Sequence, residues 1–147
     1  MGLNSGSEDF DDVIERNHTA LDRFAQGDST PLEDLWSRKE DVTLGNPFGP
    51  FVRGFEQVAE TMKRAATYYR DGEAVGFDLI AKQVSADVTY LVEVEHLSAR
   101  MGGREDHTPV ALRVTSIFRR EDGAWRLVHR HADPITSARS PESVIRS

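Results

Sequence analysis

Trp125 to Asp133 reads WRLVHRHAD. Histidine titrates closest to neutral pH, so His129 and His131 are the natural candidates for a general acid or base. Positions two apart on an extended strand share one face. Asp133 or a carboxylate such as Glu95 could orient His131, which makes it the leading candidate, with His129 beside it. The H-x-H spacing could also chelate a metal with Glu95 as third ligand. The other three histidines, His18, His96 and His107, are not placed to help, so the site is read as metal-free. The plain alternative, a hydrogen-bonded histidine near a strand end, stays open beside the functional one.

Arg113 is the nearest candidate cation. Residues directly opposed on neighbouring strands have Cβ atoms about 5 Å apart, so Arg113 could pair with Glu93 or Glu95, or clamp an anion. Asn46 could bind a carbonyl or cap its own turn. Trp36, Phe48, Phe51, Tyr68 and Trp125 read as core or pocket wall, and Thr115 shares the face of Arg113. No phosphate-binding glycine loop, G-x-S-x-G or H-E-x-x-H is present, and no cofactor is implied.

The elements that must position these residues follow from hydrophobic period. Phe10, Val13, Ile14, Leu21, Phe24 and Ala25 recur at helical spacing, with Ser7 or Asp9 as cap and Gly27 as stop. Thr30-Pro31 opens a short helix toward Trp36. Asp41 to Gly45 alternates as a strand, which Asn46-Pro47-Phe48-Gly49-Pro50 breaks. A second long helix carries Phe55, Val58, Ala59, Met62, Ala66 and Tyr69 as its apolar stripe and stops at Asp71-Gly72. The period then changes from 3.6 to 2, and four strands are predicted at about 74–84, 87–99, 107–119 and 124–132. Asp122-Gly123 marks a hairpin.

Helices followed by consecutive strands imply an α+β fold, a cone-shaped curved antiparallel or mixed sheet wrapped around N-terminal helices with a central pocket. One domain over 8–134 and a C-terminal tail over 135–147 are expected. On the last strand Trp125, Leu127, His129 and His131 are assigned inward, together with Glu95 and Arg113. Val128 and Arg130 are assigned outward, with Tyr90 and Val92. Val110, Leu112, Val114 and Phe118 then form an apolar outer face, which predicts a homodimer through that face.

Composition bounds the partners. The chain has 147 residues, 38% hydrophobic and 29% charged, with no cysteine, which removes disulfides and thiolate chemistry. A net charge of −7 argues against a nucleic-acid partner. No apolar run is long enough for a membrane span and no secretory signal is visible, so a cytoplasmic protein with a small-molecule ligand is expected.

The helix, short helix with Trp36, Asn46-Pro47-Phe48-Gly49 turn, long helix and closing run RVTSIFRREDGAWRLVHRHAD resemble the nuclear-transport-factor-2-like superfamily, and within it SnoaL-like and ketosteroid-isomerase-like domains. The resemblance implies the cone fold and a small organic ligand, with acid–base chemistry such as cyclisation, dehydration or isomerisation, or else a non-catalytic binding or assembly module. Ketosteroid isomerases carry an Asp-Pro-x-Gly whose Asp is the base, where this chain has Asn46. Their oxyanion-hole Tyr and protonated Asp fall at Ala20 and Thr115. Steroid isomerisation is therefore not expected.

Overall fold

The computed structural model describes residues 9–146. Helix α1 (Phe10–Phe24) starts at Asp9, whose carboxylate accepts a hydrogen bond from the backbone N–H of Asp11. The alternative cap, Ser7, lies outside the described residues. Helix α2 (Thr30–Glu33) and helix α3 (Phe55–Ala66) follow, with strands β1 (Thr43–Gly45) and β2 (Val52–Arg53) between them. Four long strands complete the chain: β3 (Tyr69–Val84), β4 (Val88–Met101), β5 (His107–Glu121) and β6 (Ala124–Asp133).

The strands form one open, curved sheet in the order β2-β1-β6-β5-β4-β3. All neighbours run antiparallel except β1, which lies parallel to β6 with Thr43 opposite His129 and Gly45 opposite His131. The fold is therefore α+β with a mixed sheet. The helices pack on its inner face, where Phe10, Phe118 and Trp125 meet edge-to-face with ring centroids 5.1 and 5.5 Å apart. Trp36 and Trp125 are both fully buried in this core. The β5–β6 hairpin turns on Asp122 and Gly123, both at positive φ (51° and 81°), the geometry that Asp-Gly favours.

Curvature is built from irregular pairing. The β3–β4 register shifts at three places and the β5–β6 register at one, and each extra residue bends its strand. One β3 bulge spans Asp71-Gly72, which the sequence suggested as a helix stop. Asp71 sits at φ 53°, and a Cβ on Gly72 would lie 2.5 Å from that of Ala99. Helix α3 ends at Ala66, so Tyr69 enters the interior from a strand rather than from the helix stripe.

The bulge on β6 changes which residues face inward. Phe118 opposes Leu127, but the next residue, Ile117, opposes His129, leaving Val128 as the extra residue. Before the bulge Trp125 and Leu127 are buried; after it Arg130 and Ala132 are. A one-residue slip exchanges the faces, so His129 and His131 point outward, against the expectation. On β5, Leu112, Val114 and Phe118 are buried on the inner face, and Val110 packs against them, so they form no outer apolar patch. The assignment of β4 agrees with the sequence: Leu91, Glu93, Glu95 and Leu97 are buried and Tyr90 is exposed.

Candidate functional site

Four polar side chains, Glu95, Arg130, Tyr69 and Asn46, border a mostly apolar internal cavity. Arg130 donates from Nη1 to Glu95 Oε2 and from Nη2 to Glu95 Oε1, both at 2.8 Å. The pair is out of water, with side-chain exposures of 8% for Arg130 and 0% for Glu95. Burial opposes the Arg130 charge, but the Glu95 carboxylate outweighs it by its charge and its hydrogen bonds, and the Arg130 pKa is raised. The guanidinium stays cationic and meets Glu95 through two parallel hydrogen bonds.

Tyr69 is the third polar group. Burial pushes its phenol up to about 12; Arg130 pulls it down and Glu95 pushes it up. The hydroxyl is thus a hydrogen-bond donor across the neutral range. The apolar wall comes from both layers: Leu21 and Phe24 on α1, Met62 and Ala65 on α3, and Leu97, Leu112 and Ala132 on the sheet. Asn46, Pro47 and Phe48 close the remaining side. Asn46 Oδ1 accepts from the Phe48 N–H at 3.0 Å, so it caps its turn while sitting in the cavity wall. The enclosed volume is about 30 Å³.

A second interior pairing lies one inward position away. His18 Nε2 on α1 is 2.8 Å from Glu93 Oε2, and its ring stacks on Phe77 at 3.6 Å with planes 5° apart. Glu93 also acts electrostatically on Arg130.

The residues singled out from the sequence divide between two faces. Glu95, Asn46 and Phe48 border the cavity. Arg113, Thr115 and His131 line a groove of about 340 Å³ on the outer face instead. Arg113 does not reach Glu93 or Glu95; its Nε donates to Asp133 Oδ1 at 2.7 Å. His131 Nε2 lies 3.5 Å from the other Asp133 oxygen. His129 Nδ1 is 2.8 Å from Thr43 Oγ1, and burial, then the neighbouring His131, lower its pKa. Phe51 lies over both imidazoles, with ring centroids 6.2 and 5.7 Å away. Gly45 makes room for it, since a Cβ there would collide with the Phe51 ring. Trp36 and Trp125 belong to the core, and Tyr68 borders a groove beyond Phe48. Among the described residues no cluster of three or more His, Asp or Glu could hold a metal ion.

Sequence reasoning missed Arg130 and Tyr69. Nothing in the unbroken alternation of WRLVHRHAD marks Val128 as a bulge. The available signal was electrostatic: two inward carboxylates on β4, Glu93 and Glu95, require cations on the same face. Thr115 faces outward, so it is not the counterpart of an oxyanion-hole acid. Its inward neighbours Val114 and Ser116 are not acids either, and Ala20 is buried in the core.

A family model for the SnoaL-like domain matches residues 13–136. The chain belongs to the SnoaL-like family. Solved structures share the fold at low identity. A candidate dehydratase of the nuclear-transport-factor-2-like family from Streptomyces avermitilis is 20% identical, with 88% of this chain and 98% of that one covered at a TM-score of 0.70. A ketosteroid-isomerase-like protein from Erwinia carotovora atroseptica is 18% identical over 86% and 94%, also at 0.70. A nuclear-transport-factor-2-like superfamily protein from Salmonella enterica is 18% identical over 89% and 92%, at 0.71. Comparison with curated proteins gave no match. No helix among the described residues of this SnoaL-like chain is long and apolar enough to cross a membrane.

Proposed function

We propose that this SnoaL-like protein binds a small, mostly apolar organic molecule whose oxygen acceptor docks against Tyr69 and Arg130. The observation that carries the reading is the buried Glu95–Arg130 pair beside a phenol, at the polar end of a mostly apolar cavity. Burying charge costs free energy unless it is fully paired, and here the paired Arg130 and Glu95 both border the cavity. A ligand oxygen that reached both Tyr69 and Arg130 would belong to a polarised ketone or a bound carboxylate.

Binding without proton abstraction from carbon is the favoured form. Glu95 is the acid in the cavity wall, and its two oxygens are taken by Arg130. Asn46 stands where an isomerase would carry its base, and an amide does not accept that proton. A 5-ene-3-ketosteroid is accordingly expected to show no isomerisation above background. A cyclisation or dehydration through an enolate would use Tyr69 and Arg130 to hold the oxygen, with the proton removed by a group outside the cavity wall.

Saturation-transfer NMR with small cyclic ketones and aromatic carboxylates tests the reading. Binders are expected, and Tyr69→Phe should weaken them about tenfold, the worth of one hydrogen bond of about 1.4 kcal/mol. No binder in either class, or binders indifferent to Tyr69→Phe, would contradict it.

Pairing of two copies through the outer sheet face completes the proposal. Tyr90, Val92, Val94, Ile117 and Phe51 supply the apolar part of that face, while Leu112, Val114 and Phe118 pack inward. Light scattering is expected to give twice the 16.5 kDa chain mass at micromolar concentration; a monomer there would remove this part.

A further inference from the structure

We infer that the inner cavity and the groove beyond Phe48 are two compartments of one ligand site, divided by the Phe48 ring, and that the ligand's outer end is anionic. This rests on the binding reading above and adds the entry route and the second half of the ligand.

The volumes set the problem. About 30 Å³ holds one or two waters, whereas sites for small organic molecules run from about 300 Å³ upward. A groove of about 230 Å³ lies on the other side of a thin wall, and Asn46, Phe48 and Ala65 border both spaces. Joined, the two spaces approach the size of a ligand site. Which part of the wall yields is decided by how each residue is held. Ala65 is buried within α3. Asn46 is tied into its own turn by the Phe48 N–H. The Phe48 ring is 47% exposed, and its aromatic contacts are edgewise to Tyr68 at 5.0 Å and Tyr69 at 6.3 Å. Its backbone lies between β1 and β2, outside the ladder, and a Cβ on the next residue, Gly49, would meet nothing within 4 Å. Rotation of this one ring opens the wall and exposes Tyr69 behind it.

The chemistry of the outer compartment follows from its charge. Arg64 and Thr61, three positions apart on α3, share its wall with the Tyr68 ring. Arg64 is exposed, and its guanidinium has no hydrogen bond or ion pair among the described residues. Its place in the last turn of α3 suits a cation. An unpaired guanidinium beside a hydroxyl and an aromatic ring fits a carboxylate or sulfonate on a flat apolar body. The site would thus take an elongated amphipathic acid, oxygen acceptor inward and anion outward.

Stopped-flow fluorescence of 6-hydroxynaphthalene-2-sulfonate, which carries an oxygen acceptor at one end and a sulfonate at the other, tests this with the full chain. Leu112→Phe, which fills the inner compartment, and Tyr69→Phe should each weaken binding. Phe48→Ala should raise the association and dissociation rate constants together by about tenfold, because a gate acts on both. Arg64→Glu should weaken binding by about tenfold, and Arg64→Lys by less. Circular dichroism checks that each variant is folded, and Phe48→Leu serves if the alanine variant is not. Binding that Leu112→Phe and Tyr69→Phe reduce, with rates untouched by Phe48→Ala or affinity untouched by Arg64→Glu, would overturn this inference and leave the cavity reading standing. Binding indifferent to Leu112→Phe and Tyr69→Phe, or no binding by the wild type and Phe48→Ala alike, would overturn both.

Discussion

The protein contains two arginine–carboxylate pairs made from the same strand. Glu95–Arg130 lies on the inner face of β6 and Arg113–Asp133 on its outer face. Their shortest contacts are alike, 2.8 and 2.7 Å. Their surroundings are not: the Arg113 side chain is 54% exposed, against 8% for Arg130. In water an ion pair gains little, because solvent already stabilises each charge. Out of water each ion depends on its partner, and losing one strands the other. Distance therefore does not rank these pairs, and burial does. The outer cluster of His129, His131, Arg113 and Asp133 is the more conspicuous in sequence, yet only the inner pair meets an enclosed apolar space.

The largest effect is expected from removing one partner of the inner pair. Arg130→Met or Glu95→Gln should cost about 3–5 kcal/mol in chemical denaturation, while Arg130→Met combined with Glu95→Leu should recover most of it. The outer counterparts, Arg113→Ala and Asp133→Asn, should leave the midpoint unmoved within error. Equal losses at both pairs would contradict the argument from burial.

The smallest effect is a pH dependence. The folded His129 pKa is depressed below its ordinary value of 6.5 by burial and by His131. Above that value the imidazole is neutral folded or unfolded and the stability is full. As pH falls through 6.5 the unfolded chain takes up the proton first, and stability declines until the folded His129 also titrates. His129→Gln should flatten that segment of a stability–pH curve and leave the rest unchanged. An identical curve in the variant would remove His129 as its source.

Much of the fold was legible because period 3.6 and period 2 each extend over long segments. Helix α1, the Asp122-Gly123 hairpin and the inward set of β4 all follow from pattern. The site was legible in part. Glu95, Asn46 and Phe48, named from the sequence, lie beside the interior space, but the arginine next to them is Arg130 and not Arg113. The reason is local: a classic alternation and a bulged one give the same letters, and only the pairing partner on β5 distinguishes them. Tyr69 was read as the end of a helix because its apolar spacing continues that of α3, while the chain has already turned into β3. The apolar residues of β5 were placed outside because both of its faces carry them, and only the packing of α1 and α3 settles which is covered.

Chemical-shift mapping with the tightest ketone or carboxylate binder tests the central claim most directly. Methyl signals of Leu97, Leu112 and Ala132 and the Nε–H of Arg130 should move together on titration, with the imidazole signals of His129 and His131 still. Shifts concentrated at His131, Thr115 and Arg113, with the interior methyls unmoved, would put the ligand on the outer face and contradict the account.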